Sequence, residues 1–325
     1  MRIGSRQIGP AHPPFVIAEI GINHGGSLEV AKEMVLRAAQ SGCECVKHQT
    51  HFVEDEMTEE AKQIFPPNAD VSIWEVMARC ALSKDDEIEL KRYSEQLGMI
   101  YLSTPFSRAA ADFLKEIGVL AYKIGSGEAD NIPLIRHIAR LGKPVIMSTG
   151  MQSIESLRAS VDILAQAGID YALLECTNLY PSPPEIVSLR GVSELQESFP
   201  GVPVGFSDHS IGPEMALASV ALGACILERH YTDTRYRAGP DIINSMDPAE
   251  LRLLIDRSKE IWIAANNPKE RTAAEEDVYR FARASVVADR DLPEGHIITE
   301  ADIWARRPGN GEIAGYEFDK VLGRS

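Results

Sequence analysis

The sequence predicts an α/β chain: a (β/α)8 barrel of the TIM type, followed by a small second module. Three observations carry that expectation. From Phe15 onward a short apolar strand, a polar turn and an amphipathic helix recur eight times, the count of such a barrel. The strands are almost continuously apolar, as a parallel sheet covered on both faces requires. The alternative, a doubly wound open sheet, would carry a Gly-rich phosphate fingerprint after its first strand; GINHGGS stands there instead.

The expected strands begin at Phe15 (FVIAEI), Cys43 (CECVKH), Met99 (MIYLS), Leu120 (LAYKI), Val145 (VIMST), Tyr171 (YALLEC), Val202 (VPVGF) and Cys225 (CILERH). Between them, LEVAKEMVLRAAQ from Leu28, AAADFLKEIG from Ala109 and SIESLRASVDILAQAG from Ser153 place apolar residues every three to four positions, which marks one buried helix face. The last barrel helix opens with Asp247, Pro248 and Glu250, a capping box with proline in the first turn. One connection is oversized, Phe52 to Leu82, with EDEMTEE inside it. Its acids read as a solvated helix face, whereas an insertion of this length on a barrel's active face is expected to be a lid or binding loop. The barrel is expected over 1–265, a polar linker over 266–282, and the second module over 283–325, where short β-like runs alternate with Gly/Pro turns.

A hydrophobic content of 44% with 25% charged residues excludes wholesale disorder. No apolar run approaches the roughly 18 residues of a membrane span. The N-terminal MRIGSRQIGPAHPP lacks the apolar core of a signal peptide, so a soluble cytoplasmic protein is expected. The formal net charge of −15 argues against a nucleic-acid or anionic-membrane binder, which needs a basic stripe. It leaves a small anionic substrate open, because charges are screened over about 8 Å at physiological salt and two lysines in a cleft outweigh distant acids. The five cysteines are odd in number and contain no CxxC pair, so they read as reduced thiols rather than a disulfide frame or zinc site.

Barrel chemistry lies at the C-terminal strand ends, and all eight ends here are polar. They offer Glu19, Asn23 and His24; Lys47 and Gln49; Ser103, Thr104 and Phe106; Lys123, Ser126 and Glu128; Ser148 and Thr149; Asn178 and Tyr180; Ser207, Asp208 and His209; Glu228 and His230. A lone lysine would snorkel to solvent. Two of them beside serine and threonine point to a phosphate or carboxylate site. His209 and His230 on adjacent strand ends suit a divalent first-row metal, with open positions for water and substrate. His48 should point away from Lys47 and Gln49 on an extended segment, and His12, His137 and His296 read as ordinary satisfied side chains. Asp208-His209-Ser210 is no catalytic triad, since sequence neighbours cannot line up nucleophile, base and orienter.

Taken in order, EIGINHGGS, KHQTH, EDEM, NADVS, STPFS, YKIGSGE, STGMQSIES, TNLYPSP, GFSDHS, LERHYTD and GPD resemble the bacterial N-acetylneuraminate (sialic acid) synthases from about Phe15 to the C-terminus. The resemblance implies that the second module is an antifreeze-like (SAF) domain. RASVVADRDLPEGHIITEADIWARRPGNG is similar to its start, and GYEFDKVLGRS stops before the family's last stretch, so an incomplete domain is expected.

The implied reaction joins phosphoenolpyruvate, N-acetylmannosamine and water into N-acetylneuraminate and phosphate. The resemblance assigns Lys47, Thr104, Lys123, Ser126, Ser148, Asn178 and Ser207 to phosphoenolpyruvate. It assigns Gln49, Asn68, Phe106, Glu128, Tyr180, Asp241 and Arg307 to the sugar, and His209 and His230 to a divalent metal, manganese first, with magnesium or cobalt as alternatives. Glu19 is the candidate for handling protons or placing water. A domain-swapped homodimer is implied, with Arg307 reaching the sugar from the partner subunit. The runner-up is a synthase of legionaminate or pseudaminate, against which KHQTH argues. A carbohydrate- or ice-binding module with a non-catalytic barrel would have no use for these converging lysines and histidines.

Overall fold

Eight parallel strands occupy the centre of the first part of the chain: β1 (Phe15–Gly21), β2 (Cys45–Thr50), β3 (Ile100–Pro105), β4 (Tyr122–Ile124), β5 (Val145–Ser148), β6 (Tyr171–Cys176), β7 (Val204–Asp208) and β8 (Ile226–His230). In this computed structural model, which describes residues 1–66, 70–239 and 241–325, their ladder runs β3-β2-β1-β8-β7-β6-β5-β4. Every hydrogen-bonded seam is parallel. The two end strands, β3 and β4, lie side by side and curl the sheet into a barrel. Several strands start one or two residues later than their apolar runs. The leading residues are the turns that feed the ladder, as where Glu44 O accepts from Ile100 N and Cys225 O from Phe15 N.

Eight helices follow the strands: α1 (Leu28–Gln40), α2 (Lys84–Gln96), α3 (Arg108–Glu116), α4 (Ile132–Arg140), α5 (Ile154–Gln166), α6 (Arg190–Ser198), α7 (Glu214–Ala221) and α8 (Pro248–Ala265). Their starts obey local chemistry: Ser27, Ser83, Ser107, Asn131 and Ser153 each accept a hydrogen bond from a first-turn N–H. At α8 Asp247 and Glu250 form the expected capping box, with Pro248 in the first turn. The oversized connection after β2 holds a short helix, Val53–Glu56, and a longer one, Ile73–Cys80.

Strand alternation divides the core in two. Val16, Ala18, Ile20 and Val46 face the helices. Phe15, Ile17, Cys45, Leu102, Ile146, Leu174 and Ile226 fill the barrel, where Ile3 and Ile8 of the N-terminal hairpin join them. Along β1 the interior face therefore reads Phe15, Ile17, Glu19, and along β8 Ile226, Glu228, His230. It is apolar at the entry end and charged at the C-terminal end. The plug below leaves only the upper end for chemistry.

The chain divides into two compact units, Met1–Asn266 and Asn267–Ser325. In the second, β9 (Ser285–Ala288) pairs antiparallel with β10 (Ile303–Arg306), and Asp302 ties the intervening loop by accepting from Thr299 N, Thr299 Oγ1 and His296 Nε2. The stretch expected as a linker contains a helix, Glu276–Ala282, which belongs to this unit. The 3-10 turn Ala273–Glu275 leads into it, with the Glu275 carboxylate accepting from Thr272 N and Thr272 Oγ1, and Arg271 lies over the Tyr279 ring. Polar composition alone concealed that local support. Among the described residues no helix is long and apolar enough to cross a membrane.

One side chain on the helix-facing side of β6 links the fold to pH. Glu175 abuts Gly191, where any Cβ would collide with its carboxylate, and burial pushes its carboxyl up to about 7. The unfolded chain ionises near the ordinary carboxyl value, so the stability held by the neutral form is complete below that value and is lost as pH rises through 7. Glu175→Gln is expected to melt a few degrees above the parent at pH 8 and level with it at pH 4. Thermal melts at the two pH values check this, and equal melting temperatures at pH 8 would refute it.

Candidate active site

At the upper end of the barrel the interior positions converge on a cleft of about 500 Å³, lined from all eight strands or the turns after them. Its deepest part is a charge quartet. Lys47 Nζ lies 2.9 Å from Glu19 Oε2 and 3.6 Å from Glu228 Oε1, and Lys123 Nζ lies 3.6 Å from the same Glu228 oxygen. All four residues are buried. Their placement follows from register: Lys47 pairs with Glu19 across β1 and β2, while Glu228 stands opposite Ser207 across β7 and β8.

Burial works against every charge here, and the pairs decide the outcome. Desolvation pulls Lys47 down, but Glu19 and Glu228 together hold its pKa above the ordinary lysine value. For Lys123 burial outweighs Glu228 and the pKa falls. Burial opposes ionisation of Glu228 too, yet Lys123 and Lys47 keep it below the usual carboxylate range. Hydroxyls complete the ring: Lys123 Nζ donates to Ser148 Oγ at 2.6 Å, Lys47 Nζ to Thr104 Oγ1 at 3.3 Å, and Ser207 Oγ to Glu228 Oε1 at 3.3 Å. Ser126 Oγ accepts from Gly150 N at 3.1 Å. Gly150 permits the closeness of this corner, since a Cβ there would collide with Asn178 Oδ1 and Cys176 O. Burial pushes the Cys176 thiol up to about 11, which leaves it inert.

Above the quartet stand the two histidines, ring centroids 5.4 Å apart, with the Tyr180 ring 4.0 Å from His209 and edge-on to His230 at 5.6 Å. Burial, then the neighbouring His230, pushes His209 down to about 3, so its imidazole is neutral at pH 7. His209 Nδ1 lies 2.8 Å from Thr177 O, an acceptor, which assigns the hydrogen to Nδ1 and the lone pair to Nε2. His230 Nδ1 is buried with no hydrogen-bond partner and lies 3.6 Å from Asp241 Oδ2. A neutral imidazole beside a ring with an orphaned nitrogen fits a borderline divalent cation. Among the described residues no cluster of three or more His, Cys, Asp or Glu is placed to hold a metal.

The structure brings together most of the positions singled out from sequence. Glu19, Lys47, Gln49, Thr104, Phe106, Lys123, Ser126, Ser148, Asn178, Tyr180, Ser207, His209 and His230 all line the cleft. Asp241 lines an adjoining chamber of about 730 Å³, shared with Gln49, Phe106, Tyr180 and His230 and walled by Ile22, Ile73, Val76 and Met77. Gly125, Ser126 and Gly127 line the cleft around the 3-10 turn Ser126–Glu128, and the Glu128 carboxylate accepts from Asn131, the N-cap of α4. Asn68 lies outside the described residues. Arg307 belongs to the second unit, where it is exposed.

Two contributors had no role assigned from sequence. Glu228 shares the inward face with His230 by alternation, a signal that was present. His51 was hidden by the same rule, because β2 ends at Thr50 and alternation ends with it. His51 stacks on Phe106 at 4.6 Å and lies 2.9 Å from Glu56 and 3.2 Å from Gln49 Oε1, while Gln49 Nε2 donates to Glu19 Oε1 at 2.7 Å. The insertion thereby orients an amide in the cleft. His48 does point away, toward His24 Nε2 at 3.2 Å and the Tyr101 hydroxyl at 3.3 Å.

Residues 34–270 match the NeuB family, and residues 283–325 match the SAF domain. The N-acetylneuraminate-9-phosphate synthase of Homo sapiens is 36% identical over 300 residues, covering 90% of this chain and 83% of its own. The N,N'-diacetyllegionaminic acid synthase of Campylobacter jejuni is 34% identical over 318 residues, covering 95% of each chain. The crystal structure of the N-acetylneuraminic acid (sialic acid) synthetase of Leptospira borgpetersenii serovar Hardjo-bovis, in complex with citrate, superposes with a TM-score of 0.79 at 31% identity, covering 86% of this chain and 94% of that one.

The quartet makes one electrostatic prediction. Glu228→Gln removes the carboxylate that both lysines share, leaving a buried net positive charge, which costs about 3–5 kcal/mol when nothing replaces it. The variant is expected to melt below the parent in anion-free buffer and to gain more from added inorganic phosphate than the parent does. Thermal melts across a phosphate titration check this. Equal phosphate gains in the two proteins would show that the lysines do not face the anion.

Proposed function

This chain belongs to the NeuB family, and from that premise we propose that it condenses phosphoenolpyruvate with N-acetylmannosamine and water to give N-acetylneuraminate and phosphate. One observation carries the reading: two buried lysines, each offset by a carboxylate and ringed by hydroxyls, lie beneath two imidazoles at the mouth of the same cleft.

Phosphoenolpyruvate carries a phosphate and a carboxylate, and Lys47 and Lys123 offer it charge-assisted donors. Thr104, Ser126, Ser148, Asn178 and Ser207 fix its orientation. The open-chain sugar lies above, beside Gln49, Phe106, Tyr180 and Asp241, with its aldehyde toward His209 and His230. Those histidines would hold a divalent ion, manganese first and magnesium or cobalt as alternatives, which when bound supplies Lewis-acid polarisation of the aldehyde oxygen. A carbon–carbon bond forms from C3 of phosphoenolpyruvate to the aldehyde carbon, and positive charge develops at C2. The aldehyde C=O π pair moves onto its oxygen as that bond forms. Water adds at C2, one of its protons passing by way of Glu19 to that alkoxide. The C2–oxygen bond to phosphate breaks as C2=O forms and the second proton leaves with phosphate. The Glu19 carboxylate, fixed by Lys47 and Gln49, also stabilises the developing cation without reorganising.

The apolar wall of Ile22, Ile73, Val76 and Met77 favours a second reading, in which the sugar is a 2,4-diacetamido-6-deoxy hexose and the product is legionaminate or pseudaminate. Its extra methyl groups suit such a wall.

Phosphate release from phosphoenolpyruvate across a panel of 2-acetamido sugars tests both readings. N-acetylmannosamine is expected to turn over fastest; a 2,4-diacetamido-6-deoxy sugar at the head of the panel supports the second. Chelation is expected to abolish turnover, and manganese to restore it better than calcium, which prefers oxygen ligands. Lys47→Met and Lys123→Met should each raise KM for phosphoenolpyruvate roughly ten- to a hundredfold, the equivalent of a lost charge-assisted hydrogen bond of about 1.5–3 kcal/mol, while KM for the sugar moves little. An unchanged KM for phosphoenolpyruvate would make the lysines structural.

Arg307 acting on the sugar from a second subunit is carried by the resemblance. Mixing His209→Ala and Arg307→Ala chains, each inactive alone, should restore roughly a quarter of parental activity, because half of random dimers contain one intact site. Background activity in the mixture would reject the cross-subunit role.

A further inference from the structure

On the far side of the two strands that present the histidines lies a second buried ion pair. Asp208 immediately precedes His209 and Arg229 immediately precedes His230. The two are direct register partners across β7 and β8, and they are 1% and 3% exposed. Alternation turns them away from the cleft as it turns Ser207, Glu228 and His230 into it. Arg229 Nε approaches Asp208 Oδ2 at 3.3 Å, an ion contact rather than an aligned hydrogen bond. Arg229 Nη2 donates to Ser210 O at 2.7 Å, and Ser210 N donates to Asp208 Oδ1 at 2.9 Å. The residues on both sides of His209 are therefore gripped by one guanidinium and one carboxylate, and the guanidinium is carried on the residue next to His230.

Stability gives little reason for this arrangement. A buried ion pair is often matched or bettered by well-packed apolar side chains of the same volume, and its best-attested use is to specify one geometry. The geometry specified here is the backbone of both histidines. Thr177 O fixes the His209 ring only once its backbone is placed.

We propose that Asp208 and Arg229 are positioning residues that set the separation and direction of His209 and His230 for divalent-cation binding. The inference rests on the metal-dependent reading above. It predicts coupling between a pair that touches no substrate and the affinity of a site on the other face of the sheet, on the scale seen when groups behind metal ligands are removed, roughly ten- to a hundredfold.

Removing a single partner would strand a buried charge, so the first test removes both. Asp208→Leu combined with Arg229→Met is measured for Mn2+ dissociation by electron paramagnetic resonance, without substrates. Cooperative melting and metal-free phosphoenolpyruvate binding, whose charged partners Lys47 and Lys123 lie on β2 and β4, serve as fold controls. The expected result is a Mn2+ dissociation constant raised at least about tenfold with phosphoenolpyruvate binding retained and shifted far less. A parental Mn2+ constant in the folded double variant overturns the proposal. Should the double variant fail its fold controls, Arg229→Lys decides. It keeps the charge and loses the planar fork that holds Asp208 and Ser210 together, so weakened Mn2+ binding supports the role and parental binding overturns it. Parental protein that takes up no Mn2+ fails the metal reading itself, a result distinct from an unaltered variant.

Discussion

The cleft depends on holding two ammonium groups inside a barrel that excludes water. Either lysine alone at that depth would lose its proton or unfold the strand end, because desolvating an isolated charge costs several kcal/mol. Glu19 and Glu228 offset that cost, and their spacing is not free. Both face the interior near its upper end, Glu228 opposite Ile17 and Glu19 opposite His230, on strands that are neighbours in the ladder although they come from opposite ends of the barrel's sequence. The seam between β1 and β8 closes the fold and brings Glu19 and His230 into register. Barrel closure thus sets the site's geometry, and with no ligand present Lys47 rests directly on Glu19 while Lys123 stands 3.6 Å from Glu228.

That constraint explains which parts of the molecule were legible in the sequence. The barrel was legible because its signals are redundant: eight apolar runs, capped helices, and a polar residue where each strand ends. Inward-facing site residues were legible because alternation carries them. A strand containing Glu19 after Phe15 and Ile17 leaves little freedom in where that carboxylate goes. Legibility failed where the chain leaves the strand. His51 lies one residue past β2, and its contact with Gln49 depends on how the insertion folds back. Glu128 sits in a turn whose glycines face the cleft and whose carboxylate serves the next helix. The helix at Glu276–Ala282 was obscured by polar composition, although Glu275 ties the turn before it to Thr272. Local rules end at the strand termini, and beyond them tertiary contacts decide.

The site also divides by rigidity. Its floor is built from strand residues held by ladder bonds and ion pairs, and it suits a ligand of fixed shape with two anionic groups. Its upper chamber borrows Ile73, Val76 and Met77 from the helix in the insertion and Asp241 from the loop after β8. Gln49, Phe106, Tyr180 and His230 belong to both, so they transmit the position of the floor to the chamber. Substitutions at Ile73, Val76 and Met77 reshape the chamber at positions that do not line the cleft of the quartet. Relatives bear the names N,N'-diacetyllegionaminic acid synthase and N-acetylneuraminate-9-phosphate synthase, a difference that such a division would accommodate.

The two faces of β7 and β8 extend the argument. Toward the cleft these strands carry Ser207, Glu228 and His230, with His209 just beyond; behind them Asp208 and Arg229 form a pair no ligand reaches. Each outward residue is adjacent in sequence to an inward one, so any shift of the outer pair must move the inner one through a single peptide bond. An apolar contact on the outer face would hold the sheet to its helices but allow small slides, because dispersion has little directional preference. A guanidinium bonded to the Ser210 carbonyl and to the Asp208 carboxylate, which itself accepts from Ser210 N, resists such slides. On the readings proposed above, the barrel uses buried charge twice, once to recognise an anion and once to hold steady the imidazoles above it.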